Sequence, residues 1–250
     1  MPAANRIVFA AAPYANSAPL LYGLLAEPRV NVFYAPPSRL GSYLERKEVD
    51  VALVPVVQWF ENPAWQRIEG LGVASLGPVC SVVLRCNVPP ELIKTIGYDP
   101  ASNTSNLLAK WILKRRFNRD VVQVSVLEAD AEVVIGDRAL DVPVAKYGNI
   151  DLSQAWFEET QLPFVFAVWA VRAHFTGIDL LSEFAHNSYE QGGRALDQIA
   201  KKWSGTTRHS FSFWMDYLTR SIHYKLTSSD VEGMERFRKI IQSEDEAFLG

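Results

Sequence analysis

The sequence predicts an α/β protein built as two lobes joined by a two-strand hinge. Three observations carry that prediction. β-α-β order occurs in two separate stretches. Apolar strands near residues 79–86 and 164–172 separate those stretches. Clusters of small polar residues follow strand ends at the starts of helices. The chain has 250 residues, enough for one large or two ordinary domains.

The first stretch opens with the apolar strand RIVFAAA. Ser17 follows as the predicted cap of a helix running to about Ala26, with Pro19 in its first turn. NVFYAPP reads as a second strand. Ser38 is then the predicted cap of RLGSYLERKE, where Leu40 and Leu44 share one face at i,i+4. Asp50 to Pro55, DVALVP, lacks alternation and reads as a strand buried on both faces. Strand, helix, strand, helix, strand is the pattern of a parallel sheet.

The second stretch begins near Ile96. KTIGYD is a strand, and SNTSNLLAKWILKRRF is a helix with Leu107, Leu108, Trp111 and Ile112 on its inner side. VVQVSVL and AEVVIGDRAL are strands, the latter turning at Gly136-Asp137. PFVFAVWAVR, Pro163 to Arg172, is a long apolar strand. Helices are expected at about 181–203, 212–226 and 229–242. The last opens on a Ser229-x-x-Glu232 capping box and carries a Val231, Met234, Phe237, Ile241 stripe. The expected domains are 1–82 with the tail 173–250, and 83–172. Two apolar strands crossing between two α/β lobes match the type 2 periplasmic-binding-protein architecture.

Composition narrows the function. A net charge of -3 argues against a nucleic-acid binder, which carries a basic face. It leaves room for a small anion, since backbone dipoles bind one without net positive charge. The apolar run from Ile7 to Ala12 is shorter than a secretory core, and no stretch approaches the roughly 18 apolar residues of a membrane span. A cytoplasmic protein with no membrane partner is expected. Cys80 and Cys86, read as one strand, would lie about 20 Å apart. That is beyond disulfide reach of about 7 Å, so both are expected as free thiols.

Four constellations are candidates for chemistry. Pro13-Tyr14-Ala15-Asn16-Ser17-Ala18-Pro19 sits where a strand gives way to a helix, the place where open α/β sheets bind ligands and helix N–H groups meet anions. The plain alternative is that Asn16 and Ser17 only cap the helix. Ser102-Asn103-Thr104-Ser105-Asn106 opens the second-lobe helix with more polar groups than one cap requires, suiting a carboxylate; the alternative is a solvated helix start. Ile135-Gly136-Asp137-Arg138 places glycine after a strand, where backbone approaches closely, although Asp137 and Arg138 also read as a surface pair. Ser81, in the proposed hinge strand, presents a hydroxyl to a cleft; the plain alternative is a buried, hydrogen-bonded serine. G-x-S-x-G, P-loop, G-x-G-x-x-G after a strand, and H-E-x-x-H are all missing, and the four histidines are scattered through the last third of the chain. Neither a metal site nor a catalytic triad is expected.

The ordered segments PYANSAPL, SRLGSYLERKEVDVALVP, SVVLRC, SNTSNLLAKWIL, VVIGDRAL and DLSQAWFEETQLPFVFAVWAVR span about residues 6–172. Together they resemble the chorismate dehydratase (MqnA) family of futalosine-route menaquinone biosynthesis. FWMDYLTRSIHYKL is similar to the family's C-terminal helix. The resemblance implies a cytosolic carbon–oxygen lyase of two lobes, acting on chorismate without metal or organic cofactor. It implies Asn16 and Ser81 as the catalytic residues touching substrate. It implies Ser102, Asn103, Thr104 and Ser105 as the carboxylate-binding segment; with Ser17, Gly136 and Asp137 from the motifs above they make the expected substrate-binding set. The chain departs from the family pattern at Asn103, usually Arg, at Ala15, commonly Leu, and at Lys47, frequently Gly. Two other functions remain open: a non-catalytic anion-binding or sensor protein, and the sister 1,4-dihydroxy-6-naphthoate synthase. The sister's first motif resembles Ser-Pro-Cys-Pro-Asn-Asp, and its catalytic His belongs to the second lobe. Residues 87–163 here contain no His.

Overall fold

The computed structural model describes residues 6–248. In chain order it forms β1 (Ile7–Ala11), α1 (Ala18–Leu21), β2 (Val30–Tyr34), α2 (Pro37–Glu45), β3 (Val51–Pro55), α3 (Val56–Glu61) and β4 (Gln66–Ser75). Next come β5 (Val82–Cys86), β6 (Thr95–Gly97), α4 (Asn103–Phe117), β7 (Val122–Val124), β8 (Ala131–Ile135), α5 (Asp137–Asp141), β9 (Asn149–Asp151) and α6 (Leu152–Thr160). The chain ends with β10 (Phe164–Val171), α7 (Ile178–Arg194), α8 (Leu196–Thr206), α9 (Phe211–Asp216), β11 (His223–Lys225) and α10 (Ser228–Phe248).

Two compact units result. One holds the chain up to Val73 and Ala167–Leu226; the other holds Ala74–Phe166 and the segment from Thr227. Each has its own sheet, in the orders β11-β4-β10-β3-β1-β2 and β7-β6-β8-β5-β9.

In the first unit, β1 lies between β2 and β3 and is parallel to both. β10 closes against β3 antiparallel, with Val168 opposite Val54. All five residues of β3 are buried, as its unbroken apolar run predicts. Asp50 ties the strand ends together: one carboxylate oxygen accepts from Val8 N at 3.0 Å and the other from Arg172 Nε at 2.9 Å. Leu40 and Leu44 of α2 are buried, as their spacing predicts. Helix α2, however, opens at Pro37, so Ser38 is already inside it and does not cap it.

In the second unit, β6 lies between β7 and β8, parallel to both, and β5 pairs antiparallel with β8 and β9. Helix α4 buries Leu108, Ala109, Ile112 and Leu113; Leu107 and Trp111 of the expected inner face are only half-buried.

Several expectations are corrected. The chain first changes unit within β4, not along 79–86, and Val82–Cys86 lies wholly in the second sheet. Cys80 is outside that strand, exposed and in the left-handed region at φ 64°. Both cysteines are free, and burial pushes the Cys86 thiol up to about 11. The helix expected at 181–203 is two helices broken at Ala195, whose ψ is 14°. The one expected at 212–226 ends in a π turn and gives way to β11. α10 was expected with the first lobe, yet it belongs to the second unit. There Phe237 packs edge-on against Trp156 and Phe164 at centroid distances of 5.7 and 4.9 Å, contacts worth about 1 kcal/mol each beyond area burial. Its capping box is also displaced. Thr227 N donates to the Asp230 carboxylate at 2.8 Å, and Asp230 N donates to Thr227 Oγ1 at 3.4 Å. Ser229 and Glu232 therefore lie beyond the box.

Candidate functional site

The second unit holds three of the four sequence-predicted constellations, two of them joined by one buried carboxylate, Asp99. α4 begins with Ser102 as its cap: the hydroxyl accepts from Ser105 N at 3.2 Å and lies 3.0 Å from the Ser105 hydroxyl. Ser102, Thr104 and Ser105 are all buried, while Asn103 is exposed. Asn106 clamps the preceding loop, its side chain accepting from Asp99 N at 3.0 Å and donating to Asp99 O at 2.9 Å. The Asp99 carboxylate reaches both ways. It accepts from Ala101 N at 2.9 Å, from Ile135 N at 3.3 Å and from Arg138 Nη2 at 3.1 Å. The α4 start and the Ile135–Arg138 turn, separate motifs in sequence, are thus held together by one side chain.

Ser81 joins the same group through the backbone. Gly136 N donates to Ser81 O at 2.8 Å. Gly136 has φ 64° and ψ -154°, a combination open essentially to glycine alone; this is the physical reason for the glycine noted in the sequence. Asp137 follows as the first residue of α5, half-buried. Ser81 itself is 1% exposed.

Asp151 fixes the loop that delivers Ser81. One of its carboxylate oxygens accepts from Val79 N at 2.9 Å and Cys80 N at 2.6 Å. The other accepts from Ser153 N and Gln154 N, both at 3.0 Å, capping α6. Burial holds this carboxyl above its ordinary range, against the downward pull of those four N–H groups. Sequence reasoning missed Asp99 and Asp151. Asp151 carried a usable signal, an acidic cap ahead of the apolar run of α6. For Asp99 the bonds that join the two motifs carried none, because Ile135 and Arg138 lie 36 and 39 positions along the chain.

In the first unit, Asn16 and Ser17 lie in a 3-10 turn, Ala15–Ser17, ahead of the four-residue α1. Ser17 does not cap through its side chain. Its hydroxyl instead donates to Asn16 Oδ1 at 3.3 Å, fixing the Asn16 amide. Asn16 is half-buried and Ser17 buried. The predicted helix to Ala26 is interrupted after Leu21 and resumes only as a 3-10 turn, Leu24–Ala26. Glu48, the other carboxylate near a sequence motif, is exposed and ion-paired with Arg46 at 2.5 Å.

Comparisons with known proteins bear on the family and the fold. The family described as menaquinone biosynthesis matches residues 7–243. A chorismate dehydratase of Thermus thermophilus is 31% identical over 212 residues, covering 75% of this chain and 78% of its own. One from Campylobacter jejuni is 28% identical over 244 residues, covering 93% of this chain and 96% of its own. Among solved structures, a protein from Archaeoglobus fulgidus superposes with a TM-score of 0.76 at 18% identity, covering 97% of this chain and 99% of that one. The periplasmic aliphatic sulphonate binding protein of Escherichia coli gives 0.63 at 13%, covering 97% and 88%. The fold is that of the periplasmic binding proteins, as the sequence predicts.

Proposed function

Because the chain belongs to the menaquinone-biosynthesis family, we propose that it is a chorismate dehydratase, a hydro-lyase converting chorismate to 3-[(1-carboxyvinyl)oxy]benzoate. We place it in the cytoplasm, on the futalosine route, with the small-molecule substrate as its partner. The observation that carries the reading is the match to two chorismate dehydratases over most of both chains. The chemistry that supports it is the group of small hydroxyls, Ser102, Thr104 and Ser105, at the start of the capped helix α4.

The reaction removes the proton from the ring carbon bearing the enolpyruvyl ether and expels the neighbouring hydroxyl as water. Conjugation to the ring carboxylate acidifies that proton, and the product ring is aromatic. A base is still needed within roughly 3 Å of the proton. The buried carboxylates of the second-unit site are occupied, Asp99 by two backbone N–H groups and Arg138, and Asp151 by four N–H groups. That occupancy favours the substrate's own enolpyruvyl carboxylate as the base. In this mechanism Asn16 and Ser81 are the proposed catalytic residues, orienting the substrate and assisting the leaving hydroxyl. Ser17, Ser102, Asn103, Thr104, Ser105, Gly136 and Asp137 are the proposed substrate-binding set. Positioning of this kind supplies several kcal/mol of barrier reduction.

Incubating the purified protein with chorismate and following loss of water by mass spectrometry tests the activity; an unchanged substrate peak ends the proposal. Asn16→Ala and Ser81→Ala are expected to lower kcat roughly a hundredfold or more. Wild-type kinetics in both would remove these residues from the site. Asp137→Asn and Glu48→Gln are expected to keep turnover, and loss of chemistry with substrate binding intact in either one identifies a protein base instead.

A further inference from the structure

The first unit contains a cavity of about 540 Å³ whose lining includes none of the residues proposed to contact chorismate. Its size is that of a small-molecule site. Its apolar walls include four aromatic residues, Tyr14, Tyr22, Tyr34 and Trp203, and Gln198 and Lys202 supply polar groups. Leu25 and Tyr34, also in the lining, are 60% and 47% exposed. Large apolar side chains left open around a concavity mark a binding surface more than a packing one.

The charge pattern selects the ligand. None of the described lining residues is acidic, and Lys202 makes no ion pair among the described residues. Tyr22 Oη donates to Gln198 Oε1 at 2.6 Å. That bond occupies the amide's acceptor and leaves its NH2 group as the donor end. With Lys202 also able only to donate, the polar side of the cavity favours acceptors and negative charge.

We propose that this cavity is a second small-molecule site, for a flat aromatic carboxylate whose ring lies among the tyrosines and Trp203 and whose acid group meets Lys202 and Gln198. Its floor also touches the reaction side of the unit. The Tyr14 carbonyl accepts from Ser17 N at 3.0 Å and so closes the turn that carries Asn16. An occupant resting on Tyr14 stiffens that turn. Only this last consequence rests on the function proposed above; the binding does not.

Calorimetric titration of the full chain with 2-naphthoate tests the site. One saturable equivalent per chain is expected, persisting in the slow variant Asn16→Ala with chorismate freshly added to saturation. Lys202→Glu is expected to weaken it about fivefold or more, an exposed charge contact being worth up to ~1 kcal/mol before the sign is reversed. The uncharged analogue 2-naphthalenemethanol should bind more weakly to wild type and lose nothing further in Lys202→Glu. Three results overturn the proposal: no saturable binding at millimolar naphthoate, equal affinity in wild type and Lys202→Glu, or displacement of the probe by chorismate in Asn16→Ala. The last would place naphthoate on the substrate residues. If chorismate is not turned over but naphthoate binds as described, the functional reading fails and the site stands.

Discussion

The two units share a four-strand sheet plan and differ in the helix that follows its first strand. In each, the first strand of a parallel trio lies between the second and third, and an antiparallel strand pairs with the third: β2-β1-β3-β10 in one and β7-β6-β8-β5 in the other. Each first strand runs into small polar residues. In the second unit those residues open a 15-residue helix with a side-chain cap. In the first they form a 3-10 turn and a helix of four residues. The cause lies in the partner helix, α7. Ser188 accepts from both Gly23 N and Leu24 N at 3.0 Å and donates to Leu20 O at 2.8 Å. With those groups satisfied from outside, the chain needs no further helical turn to satisfy them. The same polar signal after a strand thus gives a long capped helix where nothing else claims the backbone, and a broken one where a neighbour does.

The most severe way to break that difference is to push α7 away from α1. A Cβ on Gly192 would lie 2.0 Å from Pro19 O, a backbone atom that cannot swing aside. Gly192→Ala should cost about 3 kcal/mol, lowering Tm by roughly 6–12 °C in a thermal melt. Gly193, next in sequence and exposed, has nothing within 4 Å of its Cβ position. Gly193→Ala should stabilise by about 0.5–1 kcal/mol through helix propensity alone. Equal effects from the two substitutions would mean that α7 does not hold α1 as described.

In the second unit the joint to break is Asn106. Asn106→Ala strips the N–H of buried Asp99 of its side-chain partner and leaves its carbonyl only the Ser102 N–H at 3.3 Å, an expected loss of about 2 kcal/mol in denaturant unfolding. The Asp99 carboxylate also holds Ile135 and Arg138. KM for chorismate is therefore expected to rise more than kcat falls. A variant with normal stability would show that the clamp is dispensable.

What could be read from sequence follows the range of each interaction. β3 was legible because five apolar residues without alternation have no other stable place, and Leu40 and Leu44 because i,i+4 spacing is local. β4 was missed because QRIEGLGVAS mixes charge and two glycines into a strand. The break at Ala195 and the short β11 arise from packing that no local pattern signals. The placement of α10 rests on Phe237 meeting Trp156 and Phe164, residues more than seventy positions away. Candidate residues at strand ends were visible one at a time, since each lies where a strand meets a turn. Their assembly depends on Asp99 bonds that reach up to 39 positions along the chain, and single-segment reasoning does not see those.

The smallest expected effect is the sharpest probe of the comparison, because it sets one serine against another in equivalent positions. Ser102 and Ser17 each stand at the start of the first helix after a first strand, and sequence rules assign both as caps. Only Ser102 accepts a backbone N–H, that of Ser105; the Ser17 hydroxyl is turned to Asn16. Ser102→Ala should therefore cost about 1 kcal/mol, the value of a lost N-cap, seen as a Tm lower by roughly 2–4 °C. Ser17→Ala removes no cap from α1, and its Tm should stay within a degree or so, at about 0.5 kcal/mol or less. Its effect is expected in catalysis, since Asn16 loses the hydrogen bond that orients its amide. Kinetics should separate the pair in the opposite sense to stability: Ser17→Ala reduces kcat at near-normal Tm, while Ser102→Ala raises KM and lowers Tm together. If Ser17→Ala proves the less stable of the two, the 3-10 turn is held by the serine cap that sequence rules assign, and the contrast between the two helix starts fails.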